Sequence, residues 1–367
     1  MGACGSSARV ANPSAEGMPS KRTESSSWTS WTSKSKSFFF EKKKSGSQED
    51  LSLSPTLPAF TGNAGIITDR YEFDSMIGQG TFAQVYLGVD LKTGHSTAIK
   101  CIELGSEDYA EAAAKEALLL HGLKHNNIVQ LIDVYVDDFE MHLITELGEG
   151  GELYTELRRA GRLNELDASV VMRDMLAGVN FLHSRDIVHR DLKPENLVLA
   201  RAGPLRENVV KIIDFGVARR CRRGQIMHSM VGTAFYTAPE VLGKRYTRSC
   251  DNWSAGAVMF TILSGAPPFP GKTDAEILKK ARTGKWDFER PVWNHISQEA
   301  KDLISGLMKV IMGSRLSAGK AMQSVWLAKN APRAPVFLSP TSTTSTTCSL
   351  PDEMGRLPSD VSIQTSL

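Results

Sequence analysis

The stretch that most constrains this chain runs from Ile187 to Leu199: Ile-Val-His-Arg-Asp-Leu-Lys-Pro-Glu-Asn-Leu-Val-Leu. The apolar residues at its two ends predict two buried strands, and the polar run between them must then be a short connecting loop. Into that loop the chain packs an acid (Asp191), a cation two residues on (Lys193) and an amide (Asn196). Such a set suits phosphoryl transfer, where catalysis is mostly positioning plus charge stabilisation. Asp191 can accept the proton of an attacking hydroxyl, Lys193 can lie beside the moving phosphoryl group, and Asn196 can hold a metal ion. An acid followed by Lys and Asn is common in surface loops, so the reading depends on partner motifs elsewhere.

The chain has 367 residues, enough for one two-lobed domain or two small ones with a core that needs no disulfide staples. Five scattered cysteines (Cys4, Cys101, Cys221, Cys250, Cys348) make no CxxC pair and no zinc spacing, which predicts an intracellular, reduced chain. No run approaches a membrane-spanning length, and the N-terminus lacks the apolar core of a signal peptide. With 43 basic and 41 acidic residues, the formal net charge of +2 gives no support to nucleic-acid binding as the main activity.

Residues 1–67 read as a disordered extension rich in Ser, Thr and Lys. It begins Met-Gly-Ala-Cys-Gly-Ser, and Gly2 with Ser6 fits the N-myristoylation pattern, with Cys4 placed for a second acyl chain. One myristoyl chain anchors only marginally, so a second signal is needed. Besides Cys4, the segment from Lys34 to Lys44 offers five lysines around three phenylalanines, each lysine worth about 1 kcal/mol at an anionic surface. A plain Ser/Lys tail with a chance Gly2 is the alternative. The expected location is cytoplasmic and membrane-associated. Residues 332–367, rich in Ser, Thr and Pro, are expected to be a second disordered tail.

Several motifs between these tails complete the set. In Ile77-Gly78-Gln79-Gly80-Thr81-Phe82-Ala83-Gln84-Val85 two glycines one residue apart let backbone amides approach phosphates, and Val85 can cover a base. An ordinary β-hairpin would read the same. Thr97-Ala98-Ile99-Lys100 is a buried strand ending in a lysine, and Glu107 to Leu123 is an amphipathic helix. Ile128 to Val136 and Met141 to Leu147 alternate like paired strands around Asp137-Asp138. Val209 to Ile213 is a β-branched strand leading into Asp214-Phe215-Gly216, 23 residues after Asp191. A carboxylate there is well suited to hold magnesium.

These motifs resemble those of eukaryotic protein kinases, and the Lys-Pro-Glu-Asn continuation of the loop resembles the serine/threonine branch. The resemblance implies an α+β bilobal fold over residues 71–327, with a small β-rich lobe carrying one main helix and a large, mainly helical lobe. It implies ATP and Mg2+ as cofactors, with Asn196 and Asp214 as metal ligands. By the same resemblance Lys100 holds the α- and β-phosphates, Glu116 pairs with it, and Ala98 lies beside it in the nucleotide site. Thr145 guards the back of the adenine pocket, and the backbone of Glu146 and Leu147 bonds the adenine edge. Thr233, in Gly232-Thr233-Ala234-Phe235-Tyr236-Thr237-Ala238-Pro239-Glu240, braces Asp191 and Lys193, and Glu240 pairs with Arg315. Glu152 meets the ribose or a substrate arginine, and Glu195 adds a second carboxylate. Together these imply protein substrates with basic residues before the phosphoacceptor, though helix-capping acids remain an alternative for each. Ser229, behind four arginines, is a possible switch read by Arg190 or an ordinary loop serine. Ala83 departs from the family's third loop glycine.

Within the kinases the likeness is to the calcium/calmodulin-dependent group, and most of all to calcium-dependent protein kinases, through Pro267-Pro268-Phe269 and Thr273-Asp274-Ala275-Glu276-Ile277-Leu278. Those enzymes usually carry EF-hands, and no Asp-x-Asp/Asn-x-Asp/Asn-Gly loop occurs in this sequence. Direct calcium sensing is therefore not expected of this sequence; regulation could come from a separate calcium-sensor protein, from phosphorylation or from membrane placement, and a shortened gene product is a further alternative. Two readings stand: an active Ser/Thr kinase, with Asp191 as catalytic base, and a membrane-tethered pseudokinase acting as a scaffold.

Overall fold

A computed structural model describes residues 62–331, except 64, 81 and 82. The expectations for residues 1–61 and 332–367, including Gly2 and Cys4, lie outside the described residues, as do those for Thr81 and Phe82.

The small lobe is an antiparallel sheet in the order β1-β2-β3-β5-β4. Its strands are β1 (Tyr71–Gln79), β2 (Ala83–Asp90), β3 (Ser96–Glu103), β4 (Leu131–Val136) and β5 (Glu140–Glu146). Helix α1 (Glu107–His121) starts where Ser106 accepts a hydrogen bond from the Tyr109 amide, the usual service of an N-cap serine. Ala113, Glu116, Ala117 and Leu120 recur at helical spacing on its buried face.

The sheet has two differently packed faces. Ile102, Val134, Met141 and Leu143 join the main core. On the opposite face Tyr71, Ile99, Cys101, Tyr135 and Ile144 form a separate small cluster. Alternation along β3 therefore sends Lys100 and Cys101 to opposite sides.

Strand β4 begins three residues later than the alternation predicts. The Val129 amide donates to Ile212 O at 3.0 Å and the Ile212 amide to Asn127 O at 3.0 Å. This segment is therefore spent on tying the small lobe to a strand of the large one.

In the large lobe, β6 (Gly151–Glu152), β8 (Leu197–Leu199) and β9 (Val210–Ile212) form one antiparallel sheet, and β7 (Ile187–Val188) pairs with β10 (Arg219–Arg220). Helices α2 (Leu153–Ala160), α3 (Glu165–Ser184), α4 (Pro239–Leu242), α5 (Ser249–Ser264), α6 (Asp274–Thr283), α7 (Gln298–Leu307), α8 (Ala318–Ala321) and α9 (Val325–Asn330) build the rest. Every residue of α5 from Cys250 to Ser264 is buried, as befits a helix apolar all round. Gly256 lets it pass close to α7: a Cβ there would come 2.6 Å from Met308 Cγ. The architecture is the α+β bilobal one expected. The apolar ends of the Ile187–Leu199 stretch are indeed two buried strands, β7 and β8.

Candidate active site

The loop between β7 and β8 is held from below by a residue far along the chain. Asp251, wholly buried near the start of α5, accepts the amides of His189 at 2.9 Å and Arg190 at 2.8 Å, and His183 Nε2 stands 2.9 Å away. Burial alone would raise its carboxyl, but the hydrogen bond and charge of His183 outweigh that and leave it below the ordinary carboxylate value. His189 Nε2 in turn meets Ile213 O at 3.1 Å, tying the loop to the strand before Asp214. Asp251 is the functional residue that motif reading passed over. The available signal was an acid inside an otherwise apolar helix, which must find a partner.

On this platform the polar residues converge. Thr233 Oγ1 donates to Asp191 Oδ1 at 2.7 Å, and Lys193 Nζ donates to Asp191 Oδ2 at 2.8 Å and to Thr233 Oγ1 at 3.2 Å. Asn196 Nδ2 donates to Asp191 O at 2.8 Å, so the amide oxygen is the end that can be offered to a cation. Burial would lower the Lys193 amine, but Asp191 beside it holds it above its ordinary value. The approach of Thr233 depends on Gly232, at φ +113°, where a Cβ would stand 2.8 Å from Arg190 O. Arg190 and Asp214 themselves adopt positive φ, 71° and 61°, strained conformations of the kind that collect at functional sites.

The small lobe contributes a second cluster. Lys100 Nζ lies 2.7 Å from Glu116 Oε1 and 3.0 Å from Asp214 Oδ1. Burial would lower the lysine's pKa, but the two carboxylates raise it beyond its ordinary value. The lysine's charge holds Asp214 well below the usual carboxylate range. Glu116 is pushed up by burial, with Lys100 and the Phe215 amide pulling it back. The structure thus brings together Lys100, Glu116 and Asp214 in one group and Asp191, Lys193, Asn196 and Thr233 in another.

Ile77, Gly78 and Gln79 end β1, with Gly78 opposite Val85 and Gln79 opposite Gln84. The Gly80 amide closes the turn onto Ala83 O at 2.8 Å. Ala83 sits half-buried at the start of β2, opposite Ile102 and without positive φ. Alanine is therefore accommodated where the family pattern has glycine. Ala98 faces Thr145 across β3 and β5, and Val85 faces Lys100. The Glu146 amide donates to Gln130 O at 3.0 Å, so that amide is not the group that would meet a base; Leu147 follows the strand. Glu152 is exposed just before α2 and makes no side-chain cap, which removes the capping reading. Glu195 keeps one buried carboxylate oxygen without a hydrogen-bond partner, and burial raises its carboxyl.

Around the loop, Arg190 donates to Val217 O at 2.7 Å, Ser229 Oγ at 2.8 Å and Tyr246 OH at 3.3 Å. Arg315 meets Glu240 at 2.5 and 3.0 Å, as the sequence pairing predicts, and lies 5.1 Å from the centre of the Trp253 ring.

Residues 71–327 match the family model of the protein kinase domain. Among curated relatives, calcium-dependent protein kinase 4 of Plasmodium berghei (strain Anka) is 36% identical over 272 residues, covering 73% of this chain and 51% of its own length. Calcium-dependent protein kinase 5 of Plasmodium falciparum (isolate 3D7) is 35% identical over 264 residues, 72% of this chain and 46% of its own. The chain spans about half the length of these curated relatives.

Proposed function

The chain belongs to the protein kinase family, and on that premise we propose that it is a serine/threonine kinase, moving the γ-phosphoryl group of MgATP to a hydroxyl of a protein substrate. The observation that carries this reading is the bracing of Asp191 by Thr233 at 2.7 Å and Lys193 at 2.8 Å. Asp191 is thereby fixed as the acceptor of the substrate hydroxyl's proton. Lys193 neutralises charge beside the moving group, and Lys100, steadied by Glu116, binds the phosphates behind it.

The residues fit magnesium. The Asn196 amide oxygen and the Asp214 carboxylate are hard oxygen donors of the kind that cation selects. MgATP, when bound, supplies the phosphoryl group and the cationic charge that stabilises its transfer. Asp214 is held ionised by Lys100 before any cation arrives. A catalytically dead scaffold has no observation in its favour, because Lys100, Glu116, Asp191, Asn196 and Asp214 are all present and grouped.

The unpartnered oxygen of Glu195 and the exposed carboxylate of Glu152 support a preference for arginine or lysine ahead of the phosphoacceptor. The N-terminal Gly2 and Cys4 support acylation and a cytoplasmic membrane surface as the place of action. The names of the curated relatives support control by calcium through a sensor.

The test is transfer from MgATP to an Arg-x-x-Ser peptide and to its Arg-x-x-Tyr counterpart, each with and without a calcium chelator. Transfer to serine unaffected by the chelator is expected. Transfer to tyrosine alone, or to neither peptide, would contradict the reading.

A further inference from the structure

On the face of the small-lobe sheet turned away from Lys100, the strand register assembles a group of side chains that chain spacing does not reveal. Cys101 on β3 is directly opposite His142 on β5, and Glu103 is directly opposite Glu140. Because alternate residues share a face, these four form a square of cross-strand neighbours on that one face. Cys101 and His142 are buried, at 7% and 5% exposure, while Glu103 is exposed and Glu140 partly so. One ligand atom from each of Cys101, Glu140 and His142 lies within 4.8 Å of the other two.

The detail of this group is that of a metal site. Cys101 Sγ stands 3.3 Å from His142 Nδ1. Two ligands sharing a tetrahedral zinc ion through bonds of about 2.3 and 2.0 Å sit roughly 3.5 Å apart, so the pair needs to open by only a few tenths of an ångström.

The other ring nitrogen is already oriented. His142 Nε2 meets Asp137 Oδ2 at 3.3 Å, and Asp137 is itself pinned by the amides of Phe139 and Glu140, both at 2.8 Å. A carboxylate only accepts, so Nε2 carries the proton and Nδ1 turns its lone pair toward Cys101. This carboxylate–imidazole arrangement is the support that metal-binding histidines characteristically receive. A cavity of about 100 Å³, lined by Cys101, Glu103, Glu140, Gln79 and Gln84 but not by His142, opens on the other side of the thiol.

We propose that Cys101, His142 and Glu140 form a binding site for a zinc-class divalent cation, with Asp137 positioning His142 and a water completing the fourth place. On binding, the Cys101 thiol proton leaves to solvent, the thiolate and Nδ1 bond the ion, and Glu140 swings from the Nε2 side to close on it. The ion would staple β3 to β5 beside the Gln79–Gln84 hairpin. This site does not rest on the kinase reading, since it lies on the other face of the sheet.

The experiment uses the full chain, metal-free and kept reduced with a phosphine rather than a thiol. Zn2+ is titrated against a chromophoric chelator, and Co2+ serves as the spectroscopic probe. Wild-type chain is expected to take one zinc that Mg2+ does not displace, and to show a thiolate-to-cobalt charge-transfer band. Cys101→Ser should abolish that band and weaken zinc by about a hundredfold or more, and Asp137→Asn should weaken it by about ten- to a hundredfold. Glu140→Gln, at a partly exposed position, should weaken zinc about tenfold. Zinc should raise the melting temperature of wild type and of Cys4→Ser/Cys348→Ser, and by less in Glu140→Gln at the same zinc concentration. The proposal is overturned if wild type binds no zinc, or if Cys101→Ser and Glu140→Gln bind it within twofold of wild type.

Discussion

Lys100 Nζ and Glu116 Oε1 stand 2.7 Å apart, an ion pair between a sheet and a helix. Helix α1 presents Glu116 from its buried face, and β3 carries Lys100 on the face toward it. Glu116→Gln keeps the shape but replaces the charged acceptor, which costs about 1.5–3 kcal/mol. Steady-state kinetics should show kcat/KM for MgATP falling roughly ten- to a hundredfold, with the melting temperature falling by several degrees.

Asp251 acts through the loop it holds. Asp251→Asn leaves a buried amide facing two backbone donors and should destabilise the domain by about 2–3 kcal/mol. Denaturant unfolding measures that loss. The kcat should fall in the same variant, because the His189 and Arg190 amides that seat Asp191 lose an acceptor.

Thr145 is half-buried on β5 opposite Ala98. If it lines the back of the nucleotide pocket, Thr145→Met fills space that only a bulky ligand uses. Overpacking costs about 1–3 kcal/mol, so bulky adenine-mimetic inhibitors should weaken roughly tenfold or more. The KM for ATP should stay within about threefold in the same assay.

Asp90, 5% exposed, accepts Arg70 Nε at 2.7 Å and a second guanidinium nitrogen at 2.9 Å. The Arg70 hydrogen bond holds its carboxyl far below the ordinary 3.8. A carboxyl depressed in the folded state confers stability that is full above its unfolded value and is lost as pH falls toward the folded one. The acid limb of stability should therefore steepen below about pH 4. Asp90→Asn should remove about 1–3 kcal/mol at pH 7 and flatten that limb.

The two clusters of the site differ in how far the sequence revealed them. Asp191, Lys193 and Asn196 lie within six positions of one another, so their chemistry was visible as a string. Glu116 and Thr233 were reached through motif spacing, and the structure brings both within hydrogen-bond reach of their partners. Asp251 was not read as part of the site, because its partners are backbone amides about sixty residues earlier, and backbone groups leave no sequence signature. The late start of β4 escaped for a related reason. The alternation starts at Ile128, yet the hydrogen bonds of Asn127 and Val129 go to Val210 and Ile212 in the other lobe. The Cys101–His142 pair is legible only in register, since its members sit 41 positions apart on paired strands.

The measurement closest to the central claim compares wild type with Asp191→Asn. Single-turnover phosphoryl transfer to an Arg-x-x-Ser peptide would be followed, with MgATP affinity determined calorimetrically on the same preparations. Losing the proton acceptor should slow transfer by about 10²–10⁴-fold, while MgATP affinity stays within about threefold because Lys100, Glu116 and Asp214 are untouched. Transfer by Asp191→Asn at the wild-type rate would contradict the assignment of Asp191 as the base.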